Sequence, residues 1–438
     1  MEVFIRMTSY ITESPIQLLK PASSVAFWYA NMNDDQAWNT SKYFPVLNDP
    51  VQAQLVIQQE QQLLWIAEHG DTVLFHHKPE DEFVAYVEMV RGQGTLPHIH
   101  LSFIDDSDFS AVQHKQDKEP VLLPFLLTEQ VRQWSQNNGW TLRYDDADYV
   151  RKLNDKYQVR RFVEKNGFAV TKGYFCHTPE QLEEAYQMIR EQGFTQAVLK
   201  SPHGSSGKGL SIIDSELAFK KMIAFIRRRA ATFELLIEAW HPIQRSLNAQ
   251  IFIQLKEVHL LAITEQRIQE RGVYVGTDYA PQIPTELRET YEKEMLRLGH
   301  LLQQQGYTGV IGVDSIVDEL GDLYPVIEIN GRFTQVTYLL PFVDTQLRTY
   351  AFAESRYIRV DAERQYTFSE MKALLDEALE PDPRHRYVIY TYAAHLHAER
   401  WHYRVFLLFL GQDAGSFQHM IDRFERFTLT PLEGVNGK

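Results

Sequence analysis

Apolar positions in the first third of the chain fall into short runs that switch between strand-like and helical spacing. Residues 24–32 (SVAFWYANM), 72–77 (TVLFHH) and 83–90 (FVAYVEMV) are strand-like, whereas 48–71 and 121–140 predict helices. The first of these helices has Asp49 to cap it, Pro50 at its first position and Gly70 near its stop. Such alternation predicts an α/β layer domain over residues 1–146. No phosphate-binding glycine pattern occurs in it.

From residue 147 the texture changes. A basic amphipathic helix is expected over 149–167, ending at Gly167, and a second over 178–193 with Thr178 as its cap. Strands are expected at 197–200 and 210–213, then a helix through 215–230 and strands at 234–240, 246–255 and 258–268. A long helix over 284–307 precedes strands at 310–318 and 323–330. The last part holds strands at 387–394 and 403–411 and a final helix with Phe417, Met420, Ile421 and Phe424 on one face. This divides the chain into 1–146, 147–345 (itself 147–235 and 236–345) and a C-terminal α+β segment, 346–438. No repeat, low-complexity tract or long linker separates them.

Length and charge narrow the function classes. A chain of 438 residues is long enough for several cores. Its 44 basic and 58 acidic side chains leave a net charge of −14, which argues against a nucleic-acid-coating surface. With Cys176 the only cysteine, no internal disulfide forms, and a reducing, cytoplasmic setting is expected. The N-terminal MEVFIRMTSYITESPIQ has no apolar core of signal-peptide length. The late apolar run at 405–410 is too short to cross a bilayer, so no membrane partner is expected. Oligomeric state is not legible.

Candidate chemistry begins with residues 198–214, VLKSPHGSSGKGLSIID. Glycines and a lysine sit between two apolar runs, a donor-rich tip suited to phosphate. The spacing is not that of a Walker A loop, because Leu210 stands where the lysine should be. A hairpin is expected, with Gly204, Ser205, Ser206, Gly207 and Lys208 at its mobile tip and Lys200 before it. The strongest signal is VIGVDSIVDELGDLYPVIEINGRF at 310–333. With an odd-numbered loop centred near Gly321, Asp314 lies opposite Glu328, and Asn330 shares that face. Val313, Ile327 and Ile329 are then expected to point into the core. Two carboxylates and an amide oxygen on one spot repel unless a hard cation such as Mg²⁺ lies between them.

Taken in order, the glycine loop, Lys200, the IEAW hinge and the D…EINGR terminus resemble the ATP-grasp family. The resemblance covers residues 150–340 and implies two α+β subdomains closing on ATP. It implies Lys156 and Lys200 on the phosphates, and Glu238 with the backbone around Trp240 and His241 at the adenine. It further implies Asp314, Glu328 and Asn330 on Mg²⁺ (or Mn²⁺), and Arg332 beside the transferred phosphoryl group or acyl phosphate. Arg267 and Arg271 are further cations suited to anionic oxygens. The sequence departs from the family at 243–246, where IQRS replaces the usual ribose-binding glutamate. The flanking segments are similar to those of the peptide-ligase-like branch, which carries a pre-ATP-grasp N-terminal domain.

The expected activity is therefore ATP-dependent joining of a small carboxylate, such as an amino acid, to an amine or peptide, releasing ADP and phosphate. A small-molecule kinase on the same framework and a non-catalytic nucleotide-binding module are the alternatives. Other clusters are read as structural. The pairs His76-His77, His98-x-His100 and His395-x-His397 lack zinc-site spacing. Arg227 to Arg229 suit a solvated helix end, and Cys176 a core thiol.

Overall fold

Five parallel strands build the first layer. They are β1 (Ser24–Tyr29), β2 (Thr72–Phe75), β3 (His100–Phe103), β4 (Glu119–Pro124) and β5 (Thr141–Leu142), in the order β3-β2-β1-β4-β5. The computed structural model describes residues 18–38, 49–92, 99–104, 118–144, 146–204, 209–229, 232–269 and 272–428. Every residue of β1 is buried, as the central strand of a sheet covered on both faces requires. Helices α1 (Pro50–Ile57), α2 (Asp81–Arg91) and α3 (Glu129–Asn138) accompany it.

Three expectations are corrected here. Residues 83–90 belong to α2, not to a strand: Phe83, Tyr86 and Val87 recur at helical spacing and are its buried residues. The stretch 121–140 is a strand followed by a helix, divided where the Thr128 side chain accepts from Val131 N. The helix expected over 48–71 is α1, capped by Asp49, and it continues as a 3₁₀ segment, Gln58–Trp65.

The second layer has its own core. It follows α4 (Ala147–Leu153) and α5 (Lys156–Lys165), and contains β6 (Gly173–Cys176), α6 (Pro179–Glu191), β7 (Ala197–Lys200), β8 (Leu210–Ile213), α7 (Glu216–Arg227) and β9 (Leu235–Ala239). The strands run antiparallel in the order β6-β9-β7-β8. The single basic helix expected over 149–167 is two. Asp155 interrupts it by accepting from Tyr157 N (2.8 Å) and Gln158 N (3.2 Å), which makes Lys156 the first residue of α5. The 235/236 division falls inside β9. Cys176 is buried, and burial pushes its thiol up to about 11, as a core thiol requires.

The remaining strands form one eight-stranded sheet, ordered β14-β13-β10-β11-β12-β15-β17-β16. It contains β10 (Ile243–Ile253), β11 (Val258–Gln269), β12 (Val273–Asp278), β13 (Gly309–Asp318), β14 (Leu323–Asn330), β15 (Phe352–Ala362), β16 (His385–His397) and β17 (Arg400–Gly411). Helices α8 (Thr285–Gln304), α9 (Gln335–Leu347), α10 (Phe368–Leu379) and α11 (Ala414–Thr428) complete it. The 346–438 segment adds its strands to this sheet through the pairing of β12 with β15 instead of forming a separate one. In α11, Met420, Ile421 and Phe424 are buried, while Phe417 stacks on Phe352. The exposed edge of β16 is closed by side-chain amides. Gln58 pairs with both backbone groups of Ala394 and Gln61 with both of Tyr392, while Trp65 donates to Tyr390 O.

Candidate active site

The β13–β14 hairpin sets the register of the site. Asp314 lies opposite Glu328, Val313 opposite Ile329 and Gly312 opposite Asn330, so Asp314, Glu328 and Asn330 share one face. Val317 faces Leu323, leaving the odd-numbered loop 318–322, with Gly321 at φ 87°. The register shifts between Asp314 and Ile316, with the extra residues on β14 around Pro325. That irregularity corrects one expectation: Val313 and Ile329 are in the core, but Ile327 is half-buried and lines a cleft. Pro325 is tolerated there because β14 is an edge strand.

Amide side chains from the neighbouring strands orient Asp314. Its Oδ1 accepts from Asn248 Nδ2 (2.7 Å) and Gln266 Nε2 (2.8 Å), and its Oδ2 from Asn330 Nδ2 (3.3 Å). Gln250, fully buried, donates to Asn248 Oδ1 (2.6 Å) and accepts from Thr334 (2.9 Å) and Thr337 (2.7 Å). A Cβ on Gly312 would meet Thr334 Cγ2 at 2.6 Å, so only glycine fits beneath this network. Sequence reasoning missed Asn248, Gln250 and Gln266. For Asn248 and Gln250 the signal was present, since Ser246, Asn248 and Gln250 alternate with Leu247 and Ala249; Gln266, in the polar run 264–267, had none. Burial, then the charge of Glu328, pushes the Asp314 carboxyl up to about 6.

Lys156 joins the four-stranded layer to the eight-stranded sheet. Its Nζ donates to Gly204 O (2.6 Å) and to Glu328 Oε1 (3.2 Å), while its backbone N donates to Pro202 O (2.8 Å). Gly209, at φ 87°, has Ser201 Oγ 2.1 Å from where a Cβ would stand, so this end of the glycine loop also requires glycine. Ser205, Ser206, Gly207 and Lys208 lie outside the described residues, as does Arg271.

Beneath Lys156 a cleft is lined by Arg160, Thr171, Lys200, Leu236, Glu238 and Val326, among others. Glu238 stands at its wall between Arg160 (2.7 Å) and Lys200 (2.5 Å). Burial alone would raise the Glu238 carboxyl, but Lys200 and Arg160 outweigh it and hold it below the usual carboxylate range. Arg160 was not foreseen. Lys200 reaches the cleft, tied at present to Glu238. Trp240 and His241 are not among the lining side chains: Trp240 N donates to Gln196 O (3.0 Å), and His241 packs between Phe194 and Tyr324. The IQRS stretch opens β10, with Arg245 on Glu265 (3.2 Å).

Arg332 is buried, lies 4.8 Å from the Phe125 ring centroid and leaves its Nε without a hydrogen-bond partner. Its guanidinium lies 3.7 Å from the Asp35 carboxylate, and its charge partly offsets the rise of the Asp314 carboxyl. Arg267 differs from expectation. The pleat turns it to the opposite face from Gln266, where it pairs with Glu354 (2.7 Å) and Asp278 (2.9 Å) and is not gathered around Asp314. Among the described residues no three His, Cys, Asp or Glu side chains form a metal cluster, and His76 pairs with Glu60 (2.7 Å). No helix among them is long and apolar enough to cross a membrane.

Residues 153–336 match the ATP-grasp domain family. Over 405 residues the chain is 39% identical to the [butirosin acyl-carrier protein]–L-glutamate ligase of Niallia circulans, covering 90% of this chain and 92% of that one. The chain belongs to the ATP-grasp family. Among solved structures, this ATP-grasp protein resembles N5-carboxyaminoimidazole synthetase of Staphylococcus aureus (TM-score 0.56, 15% identity, 93% of this chain and 98% of that one). It also resembles phosphoribosylamine–glycine ligase of Thermotoga maritima (TM-score 0.54, 13% identity, 92% and 96%). These two likenesses establish the fold. The protein uses ATP and is an ADP-forming carboxylate–amine ligase.

Proposed function

We propose that this ATP-grasp ligase activates the carboxylate of an amino acid, with L-glutamate the first candidate, and passes the acyl group to an amine or to a nucleophile borne by a carrier protein. The observation that carries the reading is the shared face of Asp314, Glu328 and Asn330. The substrate class comes from the relative that spans nearly the whole chain.

The donor set fits Mg²⁺ (or Mn²⁺): two carboxylates and an amide oxygen, in which burial and the neighbouring charge of Glu328 raise the Asp314 carboxyl, an unfavourable crowding that a bound cation would relieve. Asp314, Glu328 and Asn330 would hold the ion, which when bound neutralises phosphate charge. Lys156, at the first turn of α5 and against the glycine loop, and Lys200 bind phosphate oxygens. Glu238 and the hinge backbone beside it orient the base. Arg332 faces charge developing on the transferred group, a role suited to a fixed, water-poor guanidinium. Because hydroxide leaves poorly from a carboxylate, the carboxylate oxygen first takes the γ-phosphoryl group. The nucleophile then attacks the acyl carbon, and phosphate departs with that oxygen.

The test is ADP release by the full chain with ATP and Mg²⁺, with and without L-glutamate and hydroxylamine as a general acceptor. Glutamate-dependent ADP formation, lost in Glu328→Gln, supports the reading. ADP formation indifferent to every amino acid offered contradicts the substrate class.

A further inference from the structure

We infer that Arg404 and Arg359 form an anion subsite, taking a carboxylate or phosphate group of a substrate, on the same face of the eight-stranded sheet as Asp314. The register establishes the shared face. Gln266, which donates to Asp314, lies opposite Thr277 of β12, and Thr277 lies opposite Ser355 of β15. The pleat then puts Tyr357 and Arg359 on that face, opposite Phe406 and Arg404 of β17.

One tyrosine ring carries both cations. The Arg404 guanidinium lies 4.7 Å from the Tyr357 ring centroid and 4.9 Å from that of Phe406, and Arg359 lies 5.5 Å from Tyr357. The ring is itself fixed, because Tyr357 OH donates to Tyr274 O (3.3 Å) and Tyr274 OH pairs with Thr277 Oγ1 (2.8 Å). Like charges directly opposite across a strand pair repel. Cation–π contacts soften that repulsion but supply no negative charge.

The acids on these strands are already engaged. Glu354 holds Arg267 and Arg356 on the opposite face, and Asp361, two residues from Arg359, is solvent-exposed and bonds His402. Among the described residues neither Arg404 nor Arg359 has an ion pair, and Arg404 Nε is buried without a hydrogen-bond partner. Burial, then the facing Arg359, pushes Arg404 down to about 10, the mark of a cation short of counter-charge. A planar guanidinium stacked on aromatic rings, with its edge unpaired, suits bidentate recognition of an oxyanion. The inference rests on the ligase reading only in calling the ligand a substrate.

Its test is calorimetric titration of the full chain, saturated with Mg²⁺ and a non-hydrolysable ATP analogue, with inorganic phosphate and separately with L-glutamate. At least one binds saturably, and phosphate or glutamate names the group. Arg404→Gln and Arg359→Gln each weaken that binding about tenfold or more, with affinity for the analogue unchanged. Arg359 is exposed, so its variant carries the test even where Arg404→Gln does not fold. Absence of saturable binding, or wild-type affinity in Arg359→Gln, overturns the subsite. Failure of the ligase reading shows separately, as absence of amino-acid-dependent ADP formation.

Discussion

Lys156 Nζ sits 3.2 Å from Glu328 Oε1, so a cation from the small sheet's layer neutralises a carboxylate of the large one. The same ammonium holds Gly204 O at 2.6 Å, which ties the glycine loop to this pair. Lys156→Met keeps the aliphatic stem and the helix start while removing the charge. ATP affinity should fall about tenfold or more, with the melting temperature changed by only a few degrees. Wild-type affinity by titration would refute the phosphate role of Lys156.

Asn248 touches Asp314 without being a proposed ligand. Asn248→Ala removes one of its hydrogen bonds and loosens Gln250, which donates to Asn248. The Mg²⁺ concentration for half-maximal ADP formation should rise about 10–100-fold, while kcat at saturating Mg²⁺ changes less. An unchanged Mg²⁺ requirement contradicts the positioning role.

How much of this was legible before the structure depends on the physics of each stretch. The β13–β14 hairpin could be read because its alternation has period two and its turn carries a glycine. Asp314 and Glu328 consequently fell opposite one another as expected. Ile327 was misplaced because a register shift inside a strand leaves no pattern behind. Residues 83–90 looked strand-like from their valines and aromatics, yet tertiary burial of one helical face outweighs β-propensity. Asp155 was legible as a cap and was overlooked, although that cap makes Lys156 the start of α5. The pairing of Arg267 with Glu354 joins residues 87 apart in sequence, and no local signal announces it.

Glu238 makes stability depend on acid. Its carboxyl is held below its ordinary value of 4.5 by Lys200 and Arg160, against the opposing effect of burial. A depressed carboxylate contributes stability that is present above the unfolded value and lost as pH falls through the folded one. The melting temperature should therefore be flat near neutrality and drop steeply below pH 4.5. Glu238→Gln should be about 3 kcal/mol less stable at pH 7, since it strands buried Lys200 and leaves Arg160 only the more exposed Glu164, and its melting should depend less on pH in the acid range. Parallel pH profiles for the two proteins would contradict this account.

Arg332 tests where charge develops. It is buried beside the Phe125 ring and close enough to bias Asp314. Arg332→Ala should lower kcat by about 10²-fold or more while ATP affinity stays near wild type. Loss of ATP affinity with kcat intact at saturation would make Arg332 a ground-state contact instead.

The most direct measurement follows an oxygen atom. L-Glutamate labelled with oxygen-18 in its carboxylates is incubated with the full chain, ATP, Mg²⁺ and an acceptor, and the released phosphate is weighed by mass spectrometry. Activation through an acyl phosphate transfers one labelled oxygen from the carboxylate to each phosphate released. Unlabelled phosphate, or ADP accompanied by a stable phosphorylated product and no free phosphate, would contradict ligation at the Asp314, Glu328 and Asn330 site.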